Sequence, residues 1–100
     1  MTERKFKPIK TWFRESIYPG KGNHRVYRFP NGFGASVIDD GYGAEDGLFE
    51  LALVKFKGRG ALNYKLAESS PDFEDVHGWL SEKDIQKLLN KIAKLKKVKP

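Results

Sequence analysis

The chain has 100 residues, of which 39% are apolar and 13% aromatic, enough for one small hydrophobic core and too aromatic for a disordered chain. Charged residues make up 32% and the formal net charge is +6, which excludes an acidic mimic of DNA. Cysteine is absent, and disulfide, zinc-knuckle and thiol chemistry are excluded with it.

Taken in chain order, residues 1–23 form a basic segment in which Ile9, Trp12, Phe13 and Ile17 fit either a short amphipathic helix or an extended arm. Its charged start, MTERKFKPIK, has no apolar stretch behind it, so no secretion signal is expected. The longest apolar run, Leu51–Val54, is far too short to span a bilayer, and the expectation is a cytoplasmic domain without a membrane partner. Residues 24–100 read as one sheet-plus-helix domain. HRVYRF (24–29) and FGASVI (33–38) flank Pro30-Asn31-Gly32, and Asn-Gly between two apolar runs predicts a hairpin because both residues tolerate positive φ. The small and acidic loop 39–47 leads into LFELALVKF (48–56), where Phe49, Leu51 and Leu53 share one face and Glu50, Ala52, Val54 and Phe56 the other. Lys57–Gly60 turns the chain into ALNYKLA (61–67).

Ser81 is the expected cap of a C-terminal helix, with Asp84 as the partner in a capping box and Leu80 and Ile85 as a hydrophobic staple. Ile85, Leu88, Leu89, Ile92 and Leu95 then fall on one side of a helix, to lie across the sheet, with Trp79 filling the corner where the chain enters. The fold class is therefore α+β: an antiparallel meander of about four strands packed by one C-terminal amphipathic helix, preceded by an N-terminal arm or short helix.

Charge is distributed in blocks. Residues 1–28 hold eight Lys/Arg against two acids, whereas 29–54 hold five acids and no Lys/Arg. The remaining blocks, 55–67, 68–84 and 85–100, carry net charges of +4, −5 and +6.

Catalytic patterns are missing. His24 beside Arg25 reads as an exposed polar residue, and His77 as a residue ordering the helix entry. Ser36 in GASV lacks the glycine–serine–glycine setting of a nucleophile elbow. No paired-histidine metal motif or Walker loop occurs, so neither enzymatic activity nor a cofactor is expected. Asp39, Asp40, Glu45 and Asp46 supply oxygens of the kind calcium and magnesium use, but Tyr42 and Ala44 stand where an EF-hand loop has ligands, and no metal is expected.

Two surfaces remain as binding candidates. Tyr42 between two glycines, with Glu45 and Asp46, makes an acidic, tyrosine-centred contact for a basic protein partner. Lys83, Lys87, Lys91 and Lys94 line the helix side opposite its leucines, and Arg25, Arg28, Lys55, Lys57 and Arg59 could extend that line, with Arg4, Lys5, Lys7 and Lys10 on the arm. Such a surface neutralises phosphates without reading bases.

The runs RVYRFPNGFGASVI (25–38), YGAEDGLFELALVKF (42–56) and GWLSEKDIQKLLNKI (78–92) resemble a group of small bacteriophage proteins. That group has an RFPNGYGASV-type hairpin, a Tyr-Gly-x-Glu-Asp-Gly-Leu strand entry and a closing Gly-Trp-Leu helix. The likeness covers about residues 25–92; the basic arm and the lysine-rich helix depart from it. What the resemblance implies is a non-enzymatic phage accessory protein in the host cytoplasm, binding a host protein or ribonucleoprotein stoichiometrically, as anti-defence (anti-CRISPR-like) inhibitors do. Direct nucleic-acid binding through the lysines and a role in virion assembly are the alternatives.

Overall fold

Alternation of apolar side chains from Arg25 to Leu53 builds a sheet with two covered faces. The structure is a computed structural model that describes residues 6–56, 64–66 and 76–95. Its strands are β1 (Lys10–Phe13), β2 (Asn23–Arg28), β3 (Phe33–Ile38), β4 (Phe49–Phe56), β5 (Tyr64–Leu66) and β6 (Val76–Leu80), followed by helix α1 (Glu82–Ala93). All pairings are antiparallel, in the order β1-β2-β3-β4-β5, with β6 also on β4. β3 occupies one edge of β4 along Glu50–Lys55. The other edge is shared, β5 pairing with Val54–Phe56 and β6 with Phe49–Ala52.

The α+β meander with its C-terminal helix is therefore as expected, with two strands added. The Lys57–Gly60 turn and the start of the strand predicted over 61–67 lie outside the described residues. At the N-terminus the extended alternative is found. Lys10-Thr11-Trp12-Phe13 is β-branched and aromatic, and β2 offers it an open edge, so pairing outweighs the helical spacing of Ile9, Trp12, Phe13 and Ile17. β6 was not foreseen, because residues 76–80 carry too little alternation to show as a strand.

On one face Tyr27, Phe29, Ala35, Val37, Leu51 and Leu53 pack against Ile85, Leu89 and Ile92 of α1. On the other, Val26, Val54 and Phe56 are buried with Trp12 and Tyr64 packed against them. The helix begins as predicted: Ser81 Oγ accepts from the Asp84 N–H at 3.1 Å, and Asp84 accepts from the Ser81 N–H at 3.0 Å.

The β2–β3 hairpin differs in detail from a two-residue Asn-Gly turn. Its loop spans three residues, Pro30–Gly32, closed by Phe29 N–H to Phe33 O at 2.9 Å, and only Gly32 is left-handed (φ 88°). Proline at the first loop position holds φ near −65°, which starts the turn one residue early. Asn31 is thereby free for a different task. Its side-chain amide donates to the carbonyls of Ile92 (2.8 Å) and Leu95 (3.1 Å), while its oxygen accepts from the Phe33 N–H at 3.0 Å. The hairpin tip thus adds a side-chain bond to the Ile92 carbonyl, which also accepts from the Leu95 N–H at 3.1 Å, and serves the Leu95 carbonyl just past α1.

The N-terminal arm holds the same helix by its middle. The Phe6 N–H donates to the Gln86 side chain at 2.9 Å, Gln86 returns a bond to the Phe6 carbonyl at 3.3 Å, and the Phe6 ring meets Phe29 edge-on at 4.9 Å. Asn31→Gly is expected to keep the turn yet lower stability by about 1–2 kcal/mol, comparable to the roughly 1 kcal/mol of Ser81→Ala. Urea unfolding of the two variants checks this, and an unchanged Asn31→Gly midpoint would show that the helix end needs no link to the hairpin.

Candidate interaction site

The acids of the β3–β4 connection divide into those that build the loop and those that face outward. Asp39 is buried and accepts three hydrogen bonds, from the N–H groups of Gly22 (2.7 Å) and Asn23 (2.8 Å) and from the Asn23 side chain (2.8 Å). Burial alone would raise its pKa, but the bonds from Asn23 and Gly22, with the charge of Lys21, outweigh it and hold the carboxyl below the ordinary range. Asp40 takes a two-pronged contact from Arg14, at 3.1 and 3.0 Å. Glu50 accepts from the Tyr42 N–H at 3.1 Å. Among the described residues, no group of three or more His, Cys, Asp or Glu is placed to hold a metal ion.

Glu45 and Asp46 are left exposed, on the one-turn 3₁₀ helix Ala44–Asp46 that follows Tyr42. Tyr42 is 61% exposed and stacked on Trp79, itself 59% exposed, with ring centroids 5.6 Å apart and planes 14° from parallel. Trp79 was expected in the core corner; the structure corrects this. Three steps along β6, from His77 to Leu80, oppose two along β4, from Leu51 to Phe49. That bulge delivers Leu80 to the core, where it packs with the helix cluster, and turns Trp79 outward.

The turn puts Trp79 in the left-handed region (φ 54°), where a bulky residue costs about 1–2 kcal/mol. Its N–H donates to the Tyr42 carbonyl at 3.2 Å. Two glycines permit the approach: a Cβ on Gly78 would lie 2.6 Å from the Tyr42 Cβ, and one on Gly43 2.9 Å from the Trp79 Cα. Tyr18, from the β1–β2 connection, joins Tyr42, Glu45, Asp46 and Trp79 around an open cleft of about 180 Å³. Tyr42, Glu45 and Asp46, grouped from the sequence, line one cleft, and Trp79 and Tyr18, which the sequence did not group with them, line it too. The Gly-Trp pair before the helix cap was the available signal, since glycine beside an aromatic marks a bulge as readily as a core corner.

The basic candidates separate. Lys83, Lys87, Lys91 and Lys94 are all exposed along α1. Arg25 does not extend their row outward: it bonds Glu82 at 2.7 and 3.4 Å and the Tyr27 hydroxyl at 3.3 Å, and lies over the Phe49 ring at 4.8 Å. Arg28 is on the opposite sheet face, 4.7 Å over the Phe56 ring. Lys7 and Lys10 are exposed on the arm, and Lys55 is half-exposed on β4. Arg4, Lys5, Lys57 and Arg59 lie outside the described residues.

His24 is not the exposed residue expected. Its Nε2 is in hydrogen-bond contact with Ser36 Oγ, and its ring lies 4.0 Å from that of Trp12. Ser36 sits mid-strand between β2 and β4, where the flanking backbone N–H groups serve the ladder and do not converge as oxyanion donors. His77, expected to order the helix entry, stands in β6 opposite Leu51. No protein-family model, curated protein or solved structure matches the chain.

Burial and the nearby Arg14 lower the His24 pKa from the usual 6.5, with Asp40 offsetting part of the effect. The unfolded chain then binds the extra proton, so the His24 contribution is complete above about pH 6.5 and is lost as pH falls through the folded value. Asp39 acts with the same sign at lower pH, below about 3.9, as its depressed pKa is crossed. Urea midpoints measured across pH should therefore fall in two limbs on acidification. His24→Gln is expected to flatten the upper limb only; Asp39→Asn is expected to flatten the lower one and to cost about 1–3 kcal/mol at neutral pH.

Proposed function

We propose that this protein is a non-catalytic bacteriophage accessory protein that binds a host protein or ribonucleoprotein, a defence complex included, and modulates it in the host cytoplasm. The observation that carries this reading is the exposed Tyr42–Trp79 stack on a loop tied down at Asp39, Asp40 and Glu50. Large aromatic area already held in place loses little freedom on association, which is why tyrosine and tryptophan dominate binding energetics at interfaces. The left-handed Trp79 supports the same reading, because strain kept at a surface position where glycine would relieve it points to use of the side chain. The phage context rests on the likeness of the hairpin, strand-entry and helix-entry motifs.

A second reading draws on the four exposed lysines of α1, which fit a phosphate backbone without base recognition. The two readings separate in a capture experiment from host lysate with and without nuclease. Trp79→Gly exchanges about 1–2 kcal/mol of backbone strain for about 0.5–1.5 kcal/mol of lost stacking, so its stability should stay within about 1 kcal/mol of the parent. The same variant, and Tyr42→Ala, should weaken partner capture about 10- to 100-fold, regardless of nuclease. Capture that instead vanishes with nuclease, falls steeply with salt and is lost in Lys87→Glu/Lys91→Glu would transfer the function to the helix.

A further inference from the structure

The cleft beside the aromatic pair has a chemistry of its own. Its lining includes the aromatic residues Tyr18, Tyr42 and Trp79 and the acidic residues Glu45 and Asp46, with no basic residue among the described ones. On a chain of net charge +6 this is a local reversal of sign, and the block 29–54 that supplies most of it holds no Lys or Arg at all. Ring faces carry negative quadrupolar charge and attract cations. The two carboxylates add the same preference and repel phosphate. At about 180 Å³ the cleft is smaller than the roughly 300 Å³ at which pockets for whole small molecules begin, so it suits one side chain of a larger partner.

Resting on the binding reading above, the geometry points to an arginine side chain, presented by a basic segment of the partner protein, as the group this cleft receives. A guanidinium is planar, always charged and weakly hydrated. It lies flat on an aromatic face while its edge N–H groups bond a carboxylate, which the compact, strongly hydrated ammonium of lysine cannot do at once. Trp79 and Tyr42 supply the face, with their own stack keeping both rings in place. Glu45 and Asp46 supply the edge partners, and they are the two loop acids that the scaffold leaves exposed.

The test titrates the full chain with a glycine-spaced peptide of three arginines, its lysine counterpart and its uncharged citrulline counterpart. Binding is followed by the NMR signals of the two indole N–H groups, with Trp79→Phe assigning them. The arginine peptide is expected to shift the Trp79 signal saturably and to bind about tenfold tighter than the citrulline peptide, with lysine between them. Glu45→Gln/Asp46→Asn should remove that tenfold preference with the fold unchanged. Equal binding of arginine and citrulline peptides, or a response confined to Trp12, overturns the assignment. So does sedimentation showing self-association that Glu45→Gln/Asp46→Asn abolishes, since the occupant would then be a second copy.

Lysate capture separates the two levels. Capture that needs Tyr42 and Trp79 but survives the Glu45→Gln/Asp46→Asn exchange overturns the arginine assignment and leaves the binding reading standing. Capture indifferent to Tyr42→Ala and Trp79→Gly removes the binding reading itself.

Discussion

Strand β4 must be covered on both faces and paired on both edges, and most of the architecture follows from meeting that demand. Leu51, Ala52, Leu53 and Val54 are buried in succession, so neither face of the strand can be left to water. α1 covers one side, and the cluster around Val26, Val54 and Phe56 fills the other. The edge away from β3 is divided between β5 and β6. The approach of β6 in turn determines where the helix starts, because Leu80 enters the core one residue before the Ser81 cap.

The aromatic platform is a by-product of that same pairing. A β6 without its extra residue would alternate regularly and could not seat both His77 and Leu80 on the face of Leu51 and Phe49. Inserting the residue resolves the register and leaves Trp79 outside in a left-handed conformation. The β3–β4 loop closes on it through the Tyr42 carbonyl and two glycines with no side chain to obstruct the stack. Core and surface thus meet in one bulge: the element that completes the core also mounts the exposed ring.

The charge blocks acquire meaning only in three dimensions. Of the acids in 39–50, Asp39, Asp40 and Glu50 serve to close the chain on itself, drawing on Gly22, Asn23, Arg14 and Tyr42. Arg25 is likewise absorbed by Glu82 and Tyr27. What remains outward is an acidic, aromatic cleft and a lysine row along α1, two surfaces of opposite sign.

Local chemistry made much of this legible. Alternation placed β2, β3 and β4, and Ser81, Asp84 and the leucine spacing placed α1, because strand faces and helix caps are decided within a few residues. Tyr42, Glu45 and Asp46 could be grouped for the same reason, being neighbours in one loop. The partners that complete the site could not. Trp79 lies 37 positions after Tyr42, and its outward turn depends on a bulge measured against β4. Nor does the sequence separate the buried Asp39 from the exposed Asp46, since each is an aspartate in a glycine-rich run and only the N–H groups of Gly22 and Asn23 tell them apart. The sequence by itself determined the periodic elements, their caps and the sign of each charge. Tertiary structure alone decided which edge took β1 and β6, which acids were consumed and which ring met Tyr42, because those outcomes are set by competition among distant segments for the edges and faces of the sheet.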